Sequence, residues 1–218
     1  MFIYNYPSVA PRFMPVIYDQ VAPPAQLAIS LSDIQLLAER FEIPVANLRA
    51  VLEVESQGSG FLLKEPKPAR PKILFEGHVF YRLTPKPVSK TRPDLSYPVW
   101  TKKFYRGGSA EWDRLQDAMV FDARAALMSA SWGLGQVLGE NFALAGCSSV
   151  ERFVEENFSG EKEQFTHMLN FIKNTGLLDE LKRGDWSHFA AGYNGRRYMD
   201  NKYDIKLAEA AKKYKWEI

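Results

Sequence analysis

VLEVESQGSGF, residues 51–61, closes an apolar run with two glutamates two positions apart and then breaks into glycines. It belongs to a longer pattern, PVANLRAVLEVES, in which Pro44 suits the first turn of a helix and Gly58 and Gly60 mark its end. On a helix advancing about 100° per residue, Glu55 falls within roughly 40° of Leu48 and Val51, at the end of the apolar stripe. Glu53 falls near Ala46 and Arg49 instead, spaced to pair with Arg49 one turn earlier. The spacing therefore predicts a surface ion pair for Glu53. For Glu55 it predicts either a frayed helix end pointing to water or a carboxyl facing a cleft. In a cleft, partial burial and the nearby carbonyls of the last turn favour the protonated form, as a general acid requires.

Working outward, SLSDIQLLAERFE reads as a helix capped by Ser30 or Ser32, with Ile34, Leu37, Ala38 and Phe41 facing inward. Before it, residues 1–29 hold five prolines and read as an extended arm, which leaves 30–218 as the folded domain. Residues 61–108 hold seven prolines and one strand-like run, ILF at 73–75. They read as a long insertion with at most a small sheet, and loops of that length are usually functional. Helical patterning returns from Ser109 through EWDRLQDAMVFDARAALMSA and continues in SSVERFVEENF, SGEKEQFTHMLNFIKNTG, LLDELKRG, SHFAAGYNG and YDIKLAEAAKKYK. Gly176 and Gly184 stand where helix-ending glycines belong. The expected fold is mainly α, with a small β-containing insertion after the helix that ends in Glu55.

Composition narrows the function. The chain has 218 residues, enough for one substantial core, and no apolar run long enough to span a membrane. MFIYNYPSVAPRFMPVIY, interrupted by prolines 7, 11 and 15, does not read as a secretory leader, so the expected location is the cytoplasm of the producing cell. Cys147 is the sole cysteine, which excludes an internal disulfide. Between Lys64 and Arg106, 11 Lys or Arg face three acids, against a mildly acidic remainder. That imbalance suggests a polyanionic partner, a nucleic acid or an anionic wall polymer, or simply a solvated lysine-rich loop.

Three further stretches offer chemistry. SASWGLGQV (129–137) reads as a helix ending in two glycines around Leu134, where backbone can approach a ligand and Gln136 can both donate and accept. AAGYNGRRY (190–198) joins Tyr193, Asn194 and Tyr198, whose rings and amide suit a sugar with an apolar face and hydroxyl edges. FEGHVFYRL (75–83) adds a second carboxylate, Glu76, with His78 two residues on, which reads either as a structural or surface histidine or as the orienting partner of that carboxylate. His167 and His188 lie far along the chain with no ligand-like spacing, so neither a metal nor any other cofactor is expected.

Taken in order, the Glu-Ser helix end, GL-G-Q and AGYN-G resemble the lysozyme-like superfamily, whose plan goose-type lysozymes and soluble lytic transglycosylases share. VLEVESQGSGF, RPKILFEGHVFYRLT, SASWGLGQVLGENF and WSHFAAGYNGRRY with YDIKLAEAAKKY resemble the bacteriophage N-acetylmuramidase endolysins more closely, over roughly residues 33–214. The resemblance implies a lysozyme-like helical domain that hydrolyses the β-1,4 bond between N-acetylmuramic acid and N-acetylglucosamine. It makes Glu55 the general acid. Ser56, His78, Gln136, Tyr193, Asn194 and Tyr198 would contact the glycan. The second carboxylate is expected to be Glu76, with Asp94 in reserve. A transglycosylase would share acid and cleft but need no base for water, and a non-enzymatic wall-binding or nucleic-acid-binding module is the remaining alternative. The expected partner is the peptidoglycan glycan strand. No nucleic acid or membrane insertion is expected. The enzyme would act as a monomer, held in the host cytoplasm until a membrane lesion releases it.

Overall fold

The computed structural model describes residues 27–56, 58–63, 69–195 and 198–215. Helix α1 (Leu31–Phe41) opens on a capping box: the Ser30 hydroxyl accepts from the Asp33 N–H while the Asp33 carboxylate accepts from the Ser30 N–H. Ile34, Leu37, Ala38 and Phe41 form its buried face, at the spacing the sequence predicts. Helix α2 (Val45–Ser56) follows, with the Pro44 carbonyl accepting from the N–H groups of Asn47 and Leu48. The last helix of the chain, α11 (Tyr203–Lys215), packs along α2 more extensively than any other pair of elements. Ala50, Ala210 and Ala211 meet there, small side chains that let the two backbones approach closely.

The insertion is more ordered than its prolines suggest. Strand β1 (Ile73–Phe75) lies where ILF predicts it, and is followed by two short helices, α3 (Gly77–Leu83) and α4 (Pro87–Thr91). The helical run after Ser109 is broken into α5 (Ala110–Met119) and α6 (Ala123–Met128). The break falls at Asp122, whose side chain accepts from the Ala125 N–H and caps the second helix. SASWGLGQV is not a helix running into its glycines, since the helix before it ends at Met128. It is a hairpin of β2 (Ala130–Trp132) and β3 (Val137–Leu138), which completes a three-stranded antiparallel sheet in the order β1-β2-β3. Ile73 stands opposite Trp132, Phe75 opposite Ala130, and Trp132 opposite Val137. The sheet thus joins the insertion to the main body instead of lying within the insertion. The remaining helices are α7 (Val150–Phe158), α8 (Glu161–Asn174), α9 (Leu178–Arg183) and α10 (Trp186–Tyr193), with Gly184 ending α9 in the left-handed conformation.

Two buried polar groups hold the sheet and the loop after α2 in place. Glu111 and Arg114 form a fully buried ion pair at 2.7 Å. Glu111 accepts from the Phe75 N–H at 3.1 Å while Arg114 donates to the Phe75 carbonyl at 3.0 Å, so both sides of the residue before Glu76 are fixed. Burial alone would raise the Glu111 pKa. The N–H groups of Arg106 and Gly107 and the Arg114 charge outweigh it, and the carboxyl stays below its ordinary range. Glu161, at the start of α8, accepts from the Gly60 N–H and Ser59 hydroxyl at 2.8 Å each, and from the Ile29 N–H at 3.1 Å. It ties residue 29 and the loop after α2 to one helix end. Gly60 is required by this packing: a Cβ there would lie 1.8 Å from Gln164 Oε1 and 2.9 Å from the Leu134 nitrogen.

Candidate active site

Glu55 sits one residue from the C-terminal end of α2, half-buried. Burial pushes its carboxyl up to about 7, and an amide donor from Asn194 and the Lys206 ammonium only partly offset that rise. Asn194 caps the end of α10 and points Nδ2 at both carboxyl oxygens, at 3.3 and 3.4 Å. Its other amide atom, Oδ1, is buried and finds no partner among the described residues. Burial, and after it the Glu55 charge, disfavours ionisation of Tyr193 and Tyr203. Tyr203 and Lys206 both come from α11. Neither was singled out in the sequence, because the pattern YDIKLAEAAKKYK shows only an amphipathic helix; the chemistry arises from α11 packing on α2.

The glycine hairpin reaches the same place. Tyr193, stacked on Phe189 at a ring separation of 5.6 Å, donates its hydroxyl to the Gly135 carbonyl at 3.3 Å. The C-terminal end of α10 therefore touches both the Glu55 helix and the β2–β3 turn, so three separate sequence blocks converge there. Gln136 adopts a left-handed backbone, and its Nε2 donates to the Gly133 carbonyl at 2.8 Å and the Lys72 carbonyl at 3.3 Å, bracing the turn. Ser56 ends α2, and its Oγ accepts from the Gly58 N–H at 3.4 Å. Tyr198 starts a short 3-10 helix (Tyr198–Asn201), with its ring against the core.

Glu53 departs from the expected pairing. Its carboxylate accepts from Lys213 Nζ at 2.8 Å and from the Tyr214 hydroxyl, both on α11. Arg49 instead stacks over the Tyr214 ring at 3.7 Å and acts on Glu53 through its charge alone. Helix-wheel reasoning saw only α2; the covering helix supplied better-placed partners. These hydrogen bonds hold the Glu53 carboxyl below its ordinary range, so Glu53 and Glu55, two residues apart, are shifted in opposite directions.

Glu76 forms a second cluster. Its Oε2 accepts from the Tyr105 hydroxyl at 2.5 Å and lies 3.4 Å from His78 Nδ1, near enough for an ion pair but off-line for a hydrogen bond. Gly77 is needed beside it, since a Cβ would fall 2.3 Å from the Tyr97 ring. Asp94, by contrast, is held by Arg92 at 2.8 and 2.9 Å through both its oxygens and stays below the ordinary carboxylate range. Among the described residues no hydrogen bond joins Glu55 to Glu76.

His167, which the spacing of the histidines set aside, meets two other potential ligand side chains in the fold. Its Nε2 lies 2.9 Å from Glu156 Oε2 and 3.4 Å from Cys147 Sγ, a trio that the turn between neighbouring helices brings together. The hydrogen bonds, however, place a proton where a metal would need a lone pair. Asn157 Nδ2 is fixed by the Phe153 carbonyl at 2.8 Å and faces His167 Nδ1 at 3.3 Å, so Nδ1 accepts and Nε2 donates to Glu156. The trio fits a closed hydrogen-bond network.

Two comparisons with known proteins agree with each other. The family model for N-acetylmuramidase matches residues 44–215. The chain is similar to the crystal structure of the Burkholderia AP3 phage endolysin, with 34% sequence identity and a TM-score of 0.79 over 86% of this chain and 71% of that one. A search of curated proteins gave no match.

Proposed function

The chain belongs to the N-acetylmuramidase family and is a muramidase-type glycosidase; from that premise we propose that it is an endolysin cleaving the β-1,4 bond between N-acetylmuramic acid and N-acetylglucosamine, with Glu55 as general acid. The observation that supports this is the half-buried carboxyl at the end of α2, pushed up to about 7 and aimed by Asn194. A proton held there near neutral pH can pass to the glycosidic oxygen as the bond breaks and an oxocarbenium-like centre develops. Asn194, Tyr193, Gln136, Ser56 and Tyr198 would line the glycan cleft. The orphaned Asn194 Oδ1 is an acceptor suited to an acetamido N–H of the sugar. Glu76 would activate the water, oriented by Tyr105, in preference to Asp94, both of whose oxygens are occupied by Arg92.

Delivery follows the same reading: residues 30–218 form the catalytic domain, acting as a monomer after release from the host cytoplasm. Among the described residues no helix is long and apolar enough to cross a membrane. One observation favours a second reading, a lytic transglycosylase: the Glu76 oxygen facing Tyr105 is already engaged. Mass analysis of digested peptidoglycan separates the two. Reducing N-acetylmuramic ends support hydrolysis, whereas 1,6-anhydro ends would replace it with intramolecular attack.

A further inference from the structure

Gln164, one turn into α8, is buried and hydrogen-bonded at both ends of its amide. Its Oε1 accepts from the Leu134 N–H in the β2–β3 turn at 2.8 Å, and its Nε2 donates to the Asn157 carbonyl near the end of α7 at 2.8 Å. Both partners are backbone groups, so the amide sets the separation of two chain segments. The turn is shaped to receive it. A Cβ at Gly133 would lie 2.6 Å from Gln164 Cδ, and one at Gly135 would lie 2.8 Å from the Cβ of Met168, one turn further along α8. The two glycines that frame Leu134 are therefore filled from behind by a helix, and the close approach they permit is to α8. Next along the turn, the Gly135 carbonyl accepts the Tyr193 hydroxyl at 3.3 Å. Tyr193 adjoins Asn194, whose Nδ2 faces both oxygens of Glu55. Three residues before Gln164, Glu161 holds the Gly60 N–H and the Ser59 hydroxyl in the loop that follows Glu55. One face of α8 thus grips both the loop after the acid and the turn that supports Tyr193.

We propose that Gln164 is a positioning residue for the acid: by fixing the β2–β3 turn it sets where Tyr193 stands, and so how Asn194 aims at Glu55. The reaction it serves rests on the muramidase reading; the bracing rests on the hydrogen bonds alone. An apolar side chain of the same shape makes neither bond, and it leaves the Leu134 N–H and the Asn157 carbonyl buried without partners. The restraint runs through consecutive contacts, each of which a substitution can cut.

Kinetics on peptidoglycan and amide-detected NMR of the full chain test it together. In Gln164→Met the shape stays and both bonds go. The Asn194 side-chain amide resonance should move, and kcat/KM should fall about tenfold to a hundredfold. In a chain already carrying Tyr193→Phe, which cuts the link to Gly135, Gln164→Met should cost only about threefold or less. Gln164→Glu repeats the amide's pattern while its carboxyl is protonated, the O–H donating to Asn157 and the carbonyl accepting from Leu134. Its titratable neighbours on α8 are Glu161 and His167, three residues to either side. Relative to wild type at the same pH, that chain should keep the Asn194 resonance and most activity at pH 5, and lose both by pH 8. An unmoved Asn194 resonance in Gln164→Met, with only a lowered melting temperature, would overturn the proposal. So would losses that simply multiply in the double variant. Should Gln164→Met not fold, Gln164→Glu decides: a resonance that matches wild type at pH 8 as well as pH 5 would overturn the positioning role. The muramidase reading fails separately, if the wild-type chain releases no reducing ends from peptidoglycan, and the NMR comparison still decides the bracing.

Discussion

Replacing Glu55 by glutamine should alter stability in a way that depends on pH, because the neutral amide lacks the ionisation that burial disfavours. In the unfolded chain the Glu55 carboxyl titrates near its ordinary value of 4.5; in the fold burial raises it to about 7. Between those values the folded protein keeps a proton that the unfolded chain has released. Wild-type stability must therefore fall as pH rises through that window, and level off above it. At 1.36 kcal/mol for each tenfold change in proton affinity, the full rise corresponds to roughly 3 kcal/mol. Glu55 keeps some contact with water, and screening reduces the expected value to about 1–2 kcal/mol. Glutamine keeps the shape and can still accept from Asn194 Nδ2. The Glu55→Gln chain should match wild type near pH 4 and exceed it by about 1–2 kcal/mol at pH 8. Urea unfolding at half-unit steps from pH 4 to 8 measures the difference directly. A difference that stays flat, or wild type becoming relatively more stable as pH rises, would refute the claim that the fold raises this carboxyl.

The same proton sets the rate. If Glu55 must be protonated to act, kcat/KM for peptidoglycan should fall about tenfold per pH unit above 7, and a descending limb centred near pH 4.5 would contradict its partial burial. Arg114→Met leaves Glu111 charged and buried beside the Phe75 backbone; urea titration should show a loss of about 3–5 kcal/mol, several times that of the exposed-pair variant Arg152→Met. Gly60→Ala places a Cβ against Gln164 and the Leu134 backbone and should cost about 1–3 kcal/mol, whereas the same change at Gly58, with open space around it, is limited to the strain of its positive φ.

Much of the helical framework was legible because caps and periodicity are local signals. Ser30, the 34/37/38/41 stripe, Gly176 and Gly184 all stand where those rules place them. Elements decided by distant pairing were not legible. Ala130–Trp132 is too short to show an alternating pattern, and it becomes a strand only because β1 lies beside it. Asp122 was hidden inside an apparently continuous helix, since an acid in such a run reads equally well as a surface residue. At the site, Glu55 stood out because a carboxylate on an apolar stripe conflicts with burial. Lys206, Tyr203 and Tyr105 gave no such conflict, and their positions follow only from packing between elements 20 or more residues apart. The pairing of Glu53 with Lys213 was missed for the same reason.

The most direct test of the account is the release of reducing ends from purified peptidoglycan at pH 6, comparing wild type with Glu55→Gln at matched folded concentration. Loss of a positioned general acid predicts a fall of at least about a hundredfold with intact circular dichroism. A variant that clears peptidoglycan within twofold of the wild-type rate would contradict Glu55 as the acid.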